Sequence, residues 1–476
     1  LEVSFRAKMW ANVFFHLMHS EHLSPATRLL LMSSLPEHAH YLRSFHAQGN
    51  WLTMEMSGLA MIAVAWPEFK LAPAWIAYAK EAMSESMKEQ VYPDGVQSEL
   101  SSSYHEVALN NFALFLETLQ QAGESLPETY TAPLEQMWHY LAYTVRPNGY
   151  GLLNNDSDLR SNREKLLLRA SQYNRPDWLY LATNGNHGVR PEGPPSVLFP
   201  WAGQLIMRSD YDADAHWAFF DIGPWGSGHQ HNDKLHLSVS AYGRDLLVDG
   251  GRFAYRGEIA QKFRRYALGS ESHNVLLIDG KGQAPGPKVT ESPLDETQYR
   301  LTADFDYARG DFDAFNDLEG SAKHSRAVHY VRGKYWIVVD HVATDRPREI
   351  EALWHWHPDC VPTLKKGQVV ATDQVRGNLS IIPAGKQQWN VALVRGQETP
   401  QIQGWYSPEY NRAEPATASI YSTRIEENTA FVWILYPSEG AAPAVKARIV
   451  SRQPGSLTVR VKDADGKREI EVKFLE

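Results

Sequence analysis

Apolar residues in the first 190 positions recur at helical spacing. HLSPATRLLLMSSLPEHAHYLRSFHA predicts a helix with Ser24 as N-cap and Pro25 at the first helical position. GNWLTMEMSGLAMIAVAWPEF repeats the pattern and is closed by Pro67. PAWIAYAKEAMSESMKEQV, SELSSSYHEVALNNFALFLETLQQAG, PLEQMWHYLAYTV and REKLLLRASQY continue it. Short connections rich in Pro, Gly, Asn and Asp predict stacked antiparallel helix pairs. The Pro-rich stretch GVRPEGPPSVLFP then reads as a linker. Beyond it, short β-branched and aromatic runs dominate, among them HWAFFDI, LHLSVSAYGRDLLVD, HNVLLID, AVHYVRGKYWIVVDHV and TAFVWILY. Tyr242-Gly243 and Arg332-Gly333 sit where hairpin turns belong. The expectation is an α+β multidomain chain: helices over 1–190, then about fifteen antiparallel strands over 191–476 in a layered sandwich.

Composition supports a globular chain. Of 476 residues, 43% are hydrophobic and 22% charged, enough for a large core divided into two or more domains. The formal net charge is −9, which argues against a general nucleic-acid or acidic-membrane binder. It leaves room for a local basic site. Aromatic residues make up 11%, with 15 Trp, a mild pointer to carbohydrate. The single cysteine, Cys360, excludes an intramolecular disulfide and a Cys-rich zinc site. The longest apolar run, Leu59–Trp66, is far short of the roughly twenty residues a bilayer requires. The start, LEVSFRAKMW, carries no signal-peptide pattern and reads as a mature or trimmed chain.

The most distinctive stretch is GPWGSGHQHNDKLHLSVSAYGRDLLVDGG, residues 223–251. Its glycines allow close backbone approach and leave His229 and His231 accessible. In an extended segment these two share a face. Asp249 follows after a hairpin, and His273 opens the next strand. Two imidazoles and a carboxylate with an open position suit zinc. Each residue also has a structural reading. Asp249 before Gly-Gly is a good turn residue. Simple pairing about Tyr242-Gly243 sets His236, not His231, opposite Asp249. The His-x-His of WHWH, His355 and His357, reads as a strand with partly exposed histidines. In the helical half, Asn50 reads as an N-cap and Tyr104 as a core tyrosine with a satisfied hydroxyl. Gln97 and Glu99 read as helix caps or as polar groups facing a cleft.

Taken together, GSGHQHNDKLHLSVSAYGRDLLVDGG with SHNVLLIDG resembles the β-domain of heparinase II/III-like polysaccharide lyases. GNWLTMEMSGLAMIAVAWPEF with DGVQSELSSSYHEVALNNF resembles their (α/α) toroid. Order and spacing agree over most of the chain, which would begin inside the toroid, incomplete or truncated. The resemblance implies a lyase that cleaves a uronic-acid-containing glycan by β-elimination, in a periplasmic or secreted bacterial setting. By that likeness Asn50 neutralises the substrate carboxylate, and Tyr104 and His229 are catalytic. His231, Asp249 and His273 would hold one structural divalent metal, usually zinc. Trp51 stands where several relatives have His. Glu99 matches an acidic position near the active site, and with Trp51 is placed at the substrate. Arg256, Arg264 and Arg265, lying between the metal residues in the chain, are read here as a source of positive charge for an anionic polysaccharide. No nucleic-acid partner and no membrane span are expected.

Two other classes remain open. A glycoside hydrolase would need two carboxylates flanking the scissile bond, with Asp94, Glu99, Asp156 and Asp158 as candidates. NNDSD at 154–158 also reads well as a turn between helices. A non-catalytic carbohydrate-binding protein would fit the aromatic content, but leaves Tyr104, His229 and the metal trio without a reason to occur together.

Overall fold

The computed structural model describes residues 1–475. Glu476, the last residue of the expected β region, lies outside the described residues. The chain forms two compact units. Residues 1–99 with 103–140 make the first; Leu100–Ser102 with the chain from Leu141 onward make the second.

The first unit is helical, built from α1 (Glu2–Leu17), α2 (Pro25–Ser44), α3 (Gly49–Ala65), α4 (Ala72–Gln90), α5 (Ser102–Gln121) and most of α6 (Glu128–Thr144). Ser24 caps α2 as expected, its hydroxyl accepting from the Thr27 N–H at 3.1 Å, with Pro25 in the first turn. Replacing Ser24 with Ala is expected to cost about 1 kcal/mol. Thermal denaturation of the full chain measures this, and an unshifted transition would mean packing alone holds the helix end. The apolar pattern of α3 runs right round the helix, so it is buried on most sides. It packs on α1 and α4. Gly58 permits the α1 contact, since a Cβ there would lie 2.5 Å from Ser4 Oγ. Asn50 is not the N-cap: Gln48 holds that position without a side-chain cap, and Asn50 lies buried inside the first turn.

The second unit holds α7 (Arg163–Gln172), α8 (Pro176–Ala182), α9 (Gly257–Leu268) and antiparallel sheets. A five-stranded meander runs in chain order from Val197–Phe199 to Arg244–Leu247. An eight-stranded sheet centres on Tyr335–Thr344, flanked by Ala322–Val331 and Thr429–Glu439. A four-stranded sheet centres on Arg348–His355 and Thr417–Ile425. Trp336, Trp354, Trp356 and Trp433 are fully buried in a core shared by these three sheets, the layering expected for the β region. A three-stranded sheet, Lys446–Gln453, Ser456–Asp463 and Gly466–Lys473, packs on the other side of the eight-stranded one. Strands outnumber the expected fifteen because several ladders are only two to four residues long, too short to show alternation. Both hairpins form where expected. Tyr242 and Gly243 take φ +51° and +68°, the primed turn that suits strand twist; Gly333 takes +69°.

One buried network ties the eight-stranded sheet to the segment around His273. Asp340 accepts from Arg326 Nε and His324 Nε2 at 2.7 Å each, and from Trp433 Nε1 at 2.9 Å. Arg326 also donates to the carbonyls of Leu235 and Asn274, at 2.8 and 2.5 Å. The charge is thus paired and its donors are used, as burial at this depth requires.

Candidate functional site

In the helical unit the side chains of Asn50 and Glu99 meet. Asn50 Nδ2 donates to Glu99 Oε1 at 2.5 Å, and Gln97 Nε2 donates to the same oxygen at 3.2 Å. Asn50 Oδ1 is buried without a hydrogen-bond partner, a group that awaits a ligand or a water. Trp51, next in the helix, is exposed. Tyr104 is the third residue of α5 and half-buried. Its neighbour His105 is buried, its Nε2 bonded to the Met137 carbonyl at 3.0 Å and its Nδ1 accepting the Gln97 N–H at 3.3 Å. Burial lowers the His105 pKa to about 4, so it stays neutral. These bonds fix the rotation of the first turn of α5, and with it the direction of the Tyr104 side chain.

In the β unit the glycine-rich run ends at His229, which adopts φ +60°. The segment 154–158 braces it. The Asp156 N–H donates to the His229 carbonyl at 3.1 Å, and the His231 N–H donates to Asn155 Oδ1 at 2.7 Å. The His229 ring lies 6.3 Å from that of Tyr255. The guanidinium groups of Arg252 and Arg264 lie 5.4 and 4.9 Å from the Tyr255 ring, within cation–π range. Both arginines are clamped. Asp158 accepts from Arg252 Nε and Nη2 at 2.8 and 2.6 Å, and Asp156 accepts from Arg264 Nη2 at 2.7 Å. Arg160, exposed, also pairs with Asp158 at 2.9 Å. The NNDSD segment connects α6 to α7, as expected of a turn between helices, and is buried. Burial would raise the Asp156 carboxyl, but hydrogen bonds from His231 and Arg264 hold it well below the usual carboxylate range.

Arg256, at the N-cap of α9, and Arg265, within it, are exposed and make no ion pair among the described residues. Of the three arginines singled out by position, Arg264 lies over the Tyr255 ring that neighbours His229. Sequence reasoning missed Arg252, Tyr255 and Tyr410, whose ring lies 5.7 Å from that of Tyr255. The run RFAYR directly after Gly-Gly offered a signal for the first two; nothing in the sequence pointed to Tyr410.

Beneath this surface lies a buried cluster of His231, Asp233, His236, Asp249 and His273. Two triplets sharing His273 bring their ligand atoms close enough for one ion: His231, Asp233, His273 and His236, Asp249, His273. The expected trio is thus spread over both. His273 Nδ1 lies 3.0 Å from Asp249 Oδ2 and 3.8 Å from Asp233 Oδ2, while its Nε2 faces the Ala267 carbonyl at 3.1 Å. Burial alone would lower the His273 pKa, but Asp249 and Asp233 outweigh it and raise it to about 9.

The donor set fits a divalent cation. His231 Nε2 contacts Asp156 Oδ1 at 3.0 Å, and its Nδ1 is buried with no hydrogen-bond partner. An imidazole whose far nitrogen is held by a carboxylate is the usual way a metal-binding histidine is oriented. His236 is already committed. Its Nδ1 accepts the Asn274 N–H at 3.1 Å and its Nε2 lies 2.7 Å from Ser238 Oγ, although Asp249 is only 4.0 Å away. Burial pushes its pKa down to about 3. The neighbouring carboxyls of Asp221 and Asp233 are raised by burial and by a nearby carboxylate, Asp233 beside the first and Asp249 beside the second, a cost that a cation in the cluster would relieve.

In the other His-x-His, His357 is partly exposed as expected, and His355 departs from expectation. His355 is buried, with Nδ1 at 3.2 Å from Asn274 Oδ1 and Nε2 at 3.1 Å from Gln403 Oε1, and burial lowers its pKa to about 4. Its burial comes from packing on the faces of the sheet, where Trp354 and Trp356 on either side of it are also buried.

Comparison with known proteins agrees in both halves of the chain. Residues 1–175 match the heparinase II/III N-terminus, and residues 191–434 match the heparinase II/III-like C-terminal region. The heparin-sulfate lyase of Pedobacter heparinus is 25% identical over 465 residues, 94% of this chain and 67% of that protein. The heparin-sulfate lyase of Bacteroides stercoris is 24% identical over 98% of this chain and 70% of its own. Among solved structures, a heparinase III superposes with a TM-score of 0.86 at 22% identity, covering 99% of this chain and 74% of that one. A heparan sulfate lyase from Pedobacter heparinus gives 0.83 at 23% identity, covering 100% and 74%. The fold is shared with these structures, and the chain belongs to the heparinase II/III-like family.

Proposed function

We propose that this protein is a polysaccharide lyase acting on a uronic-acid-containing glycosaminoglycan, and that it cleaves by β-elimination. Asn50 carries the reading: a buried amide at the start of α3 whose nitrogen gives one N–H to Glu99 and has a second to offer a carboxylate, at the position to which the sequence resemblance assigns the substrate carboxylate. The C5 proton of a uronate is weakly acidic. Hydrogen bonds to the C6 carboxylate stabilise the enolate-like charge that develops as it leaves. A base takes that proton, the C4–O4 bond breaks as C4 and C5 become doubly bonded, and an acid protonates the departing O4. Tyr104 and His229 supply these two roles, a phenol and an imidazole each able to give or take a proton. If proton and leaving group depart from the same face, Tyr104 performs both transfers.

His231, Asp249 and His273, with Asp233 beside them, would hold a zinc ion whose part is to fix the segment that carries His229. Heparan-sulfate-type chains are the proposed substrate, as the names of the relatives suggest. A periplasmic or secreted location accompanies that role. No helix among the described residues is long and apolar enough to cross a membrane.

The hydrolase reading is not favoured. Asp156 is engaged by Arg264 and the His231 imidazole, and Asp158 by Arg160 and Arg252, so neither is available as a general acid. The deciding experiment is a screen of uronate polysaccharides, with product absorbance and chain length followed over time. An ultraviolet-absorbing unsaturated end is expected. A saturated product that has taken up water would overturn the lyase reading.

A further inference from the structure

The three-stranded sheet at the end of the chain carries a charge pattern that its own folding does not explain. Residues 446–473 hold eight Lys or Arg against four Asp or Glu, in a chain of formal charge −9. This sheet also lies beyond residues 191–434 matched by the family. One face is apolar: Ala447, Val459, Val461, Ile470 and Val472 pack with Ile382, Val432 and Ile434 of the eight-stranded sheet. The other face sets like charges directly opposite one another. Lys446 pairs with Lys462, which pairs with Lys467, so three ammonium groups lie in one row across three strands. Two residues along, on the same face, Arg448 pairs with Arg460.

Like charges directly opposite in a sheet are destabilising. Glu469 answers Arg460, but no ion pair among the described residues neutralises Lys446, Arg448, Lys462 or Lys467, all of which are exposed. These side chains line a groove of about 480 Å³ whose remaining wall includes Gln368, Ile382 and Pro383. Cross-strand neighbours stand about 5 Å apart and same-face residues along a strand about 7 Å apart, so the positive charges form a close lattice.

We propose that this groove is a second, non-catalytic binding site for the anionic polysaccharide, seating sulfate or carboxylate groups of a chain bound elsewhere on the same molecule. The identity of the polymer rests on the lyase reading; the groove's preference for an extended polyanion does not. No aromatic residue lines the groove, which disfavours single-stranded nucleic acid, whose bases require stacking surfaces. The site recognises repeated negative charge rather than sugar faces. It also supplies a local basic surface that the overall charge of the chain conceals.

The test compares the full chain with its Lys446→Ala/Lys462→Ala/Lys467→Ala variant. Equilibrium binding to heparan sulfate is measured in a Tyr104→Phe background, so that turnover does not intrude. Removing three exposed charge contacts is expected to weaken binding to long chains roughly tenfold. In the active chain, the ratio of kcat/KM on long chains to that on a tetrasaccharide should fall by a similar factor. The melting temperature should hold or rise, because the like-charge rows are relieved. Equal affinity of variant and parent for long chains would overturn the proposal, as would tighter binding of RNA or of anionic lipid vesicles than of heparan sulfate. If no glycan yields an unsaturated end, the lyase reading fails, while the binding comparison still decides the groove.

Discussion

Replacing Tyr104 with Phe is expected to lower the formation of unsaturated uronate at least about a thousandfold, the scale on which a positioned acid–base group acts. The substitution keeps the ring and removes one hydroxyl. Around the position little should move: the first turn of α5 is fixed by the bonds of its neighbour His105, which do not involve the phenol. The variant should therefore keep its far-ultraviolet circular dichroism and still bind uronate chains. A kcat loss without a matching rise in KM is the signature of a group used mainly in the transition state. Asn50→Ala should behave differently, because it removes a contact to the substrate carboxylate that exists before reaction and strengthens during it. KM should rise and kcat should fall together. A Tyr104→Phe enzyme at the parental rate would end the proposed assignment of the proton transfers.

Much of the fold was legible because its signals are local. The helical spacing of GNWLTMEMSGLAMIAVAW and the β-branched, aromatic run YWIVVDHV each announce their element, and Ser24 and Tyr242-Gly243 announce a helix start and a hairpin. What could not be read depends on partners far apart in the chain. Asn50 looks like a cap by composition, yet Gln48 occupies the N-cap, and Glu99, 49 residues on, fixes the role of the Asn50 amide. Asp156 looks like a turn residue, yet it spans 75 residues to His231 and 108 to Arg264. The hairpin about Tyr242 sets His236 near Asp249, as simple pairing suggests. Side-chain hydrogen bonds to Asn274 and Ser238, which pairing does not reveal, then engage both nitrogens of His236. Periodicity places a residue on a face. It does not say which of two neighbouring imidazoles has a nitrogen to spare.

Replacing Asp156 with Ala is expected to cost about 3 kcal/mol of stability and to lower metal affinity roughly ten- to a hundredfold. The carboxylate is fully buried and serves two groups at once. Its loss strips Arg264 of its ion-pair partner beside Tyr255. It also removes the acceptor that keeps the proton of His231 on Nε2 and leaves Nδ1 as the ligand atom. His231→Ala separates these effects, because it deletes the ligand and leaves the Asp156–Arg264 pair in place. Metal content and thermal denaturation should be measured together, before and after treatment with a chelator. For His231→Ala the deficit in melting temperature should largely vanish once parent and variant are both stripped of metal, because bound ion stabilises only the parent. For Asp156→Ala a deficit should persist in the stripped proteins, since an arginine has been left without its partner. Parental metal content in His231→Ala would remove that residue from the ligand set. A stripped Asp156→Ala protein as stable as the stripped parent would show that its bond to Arg264 contributes nothing to the fold, and that the carboxylate serves the metal site alone.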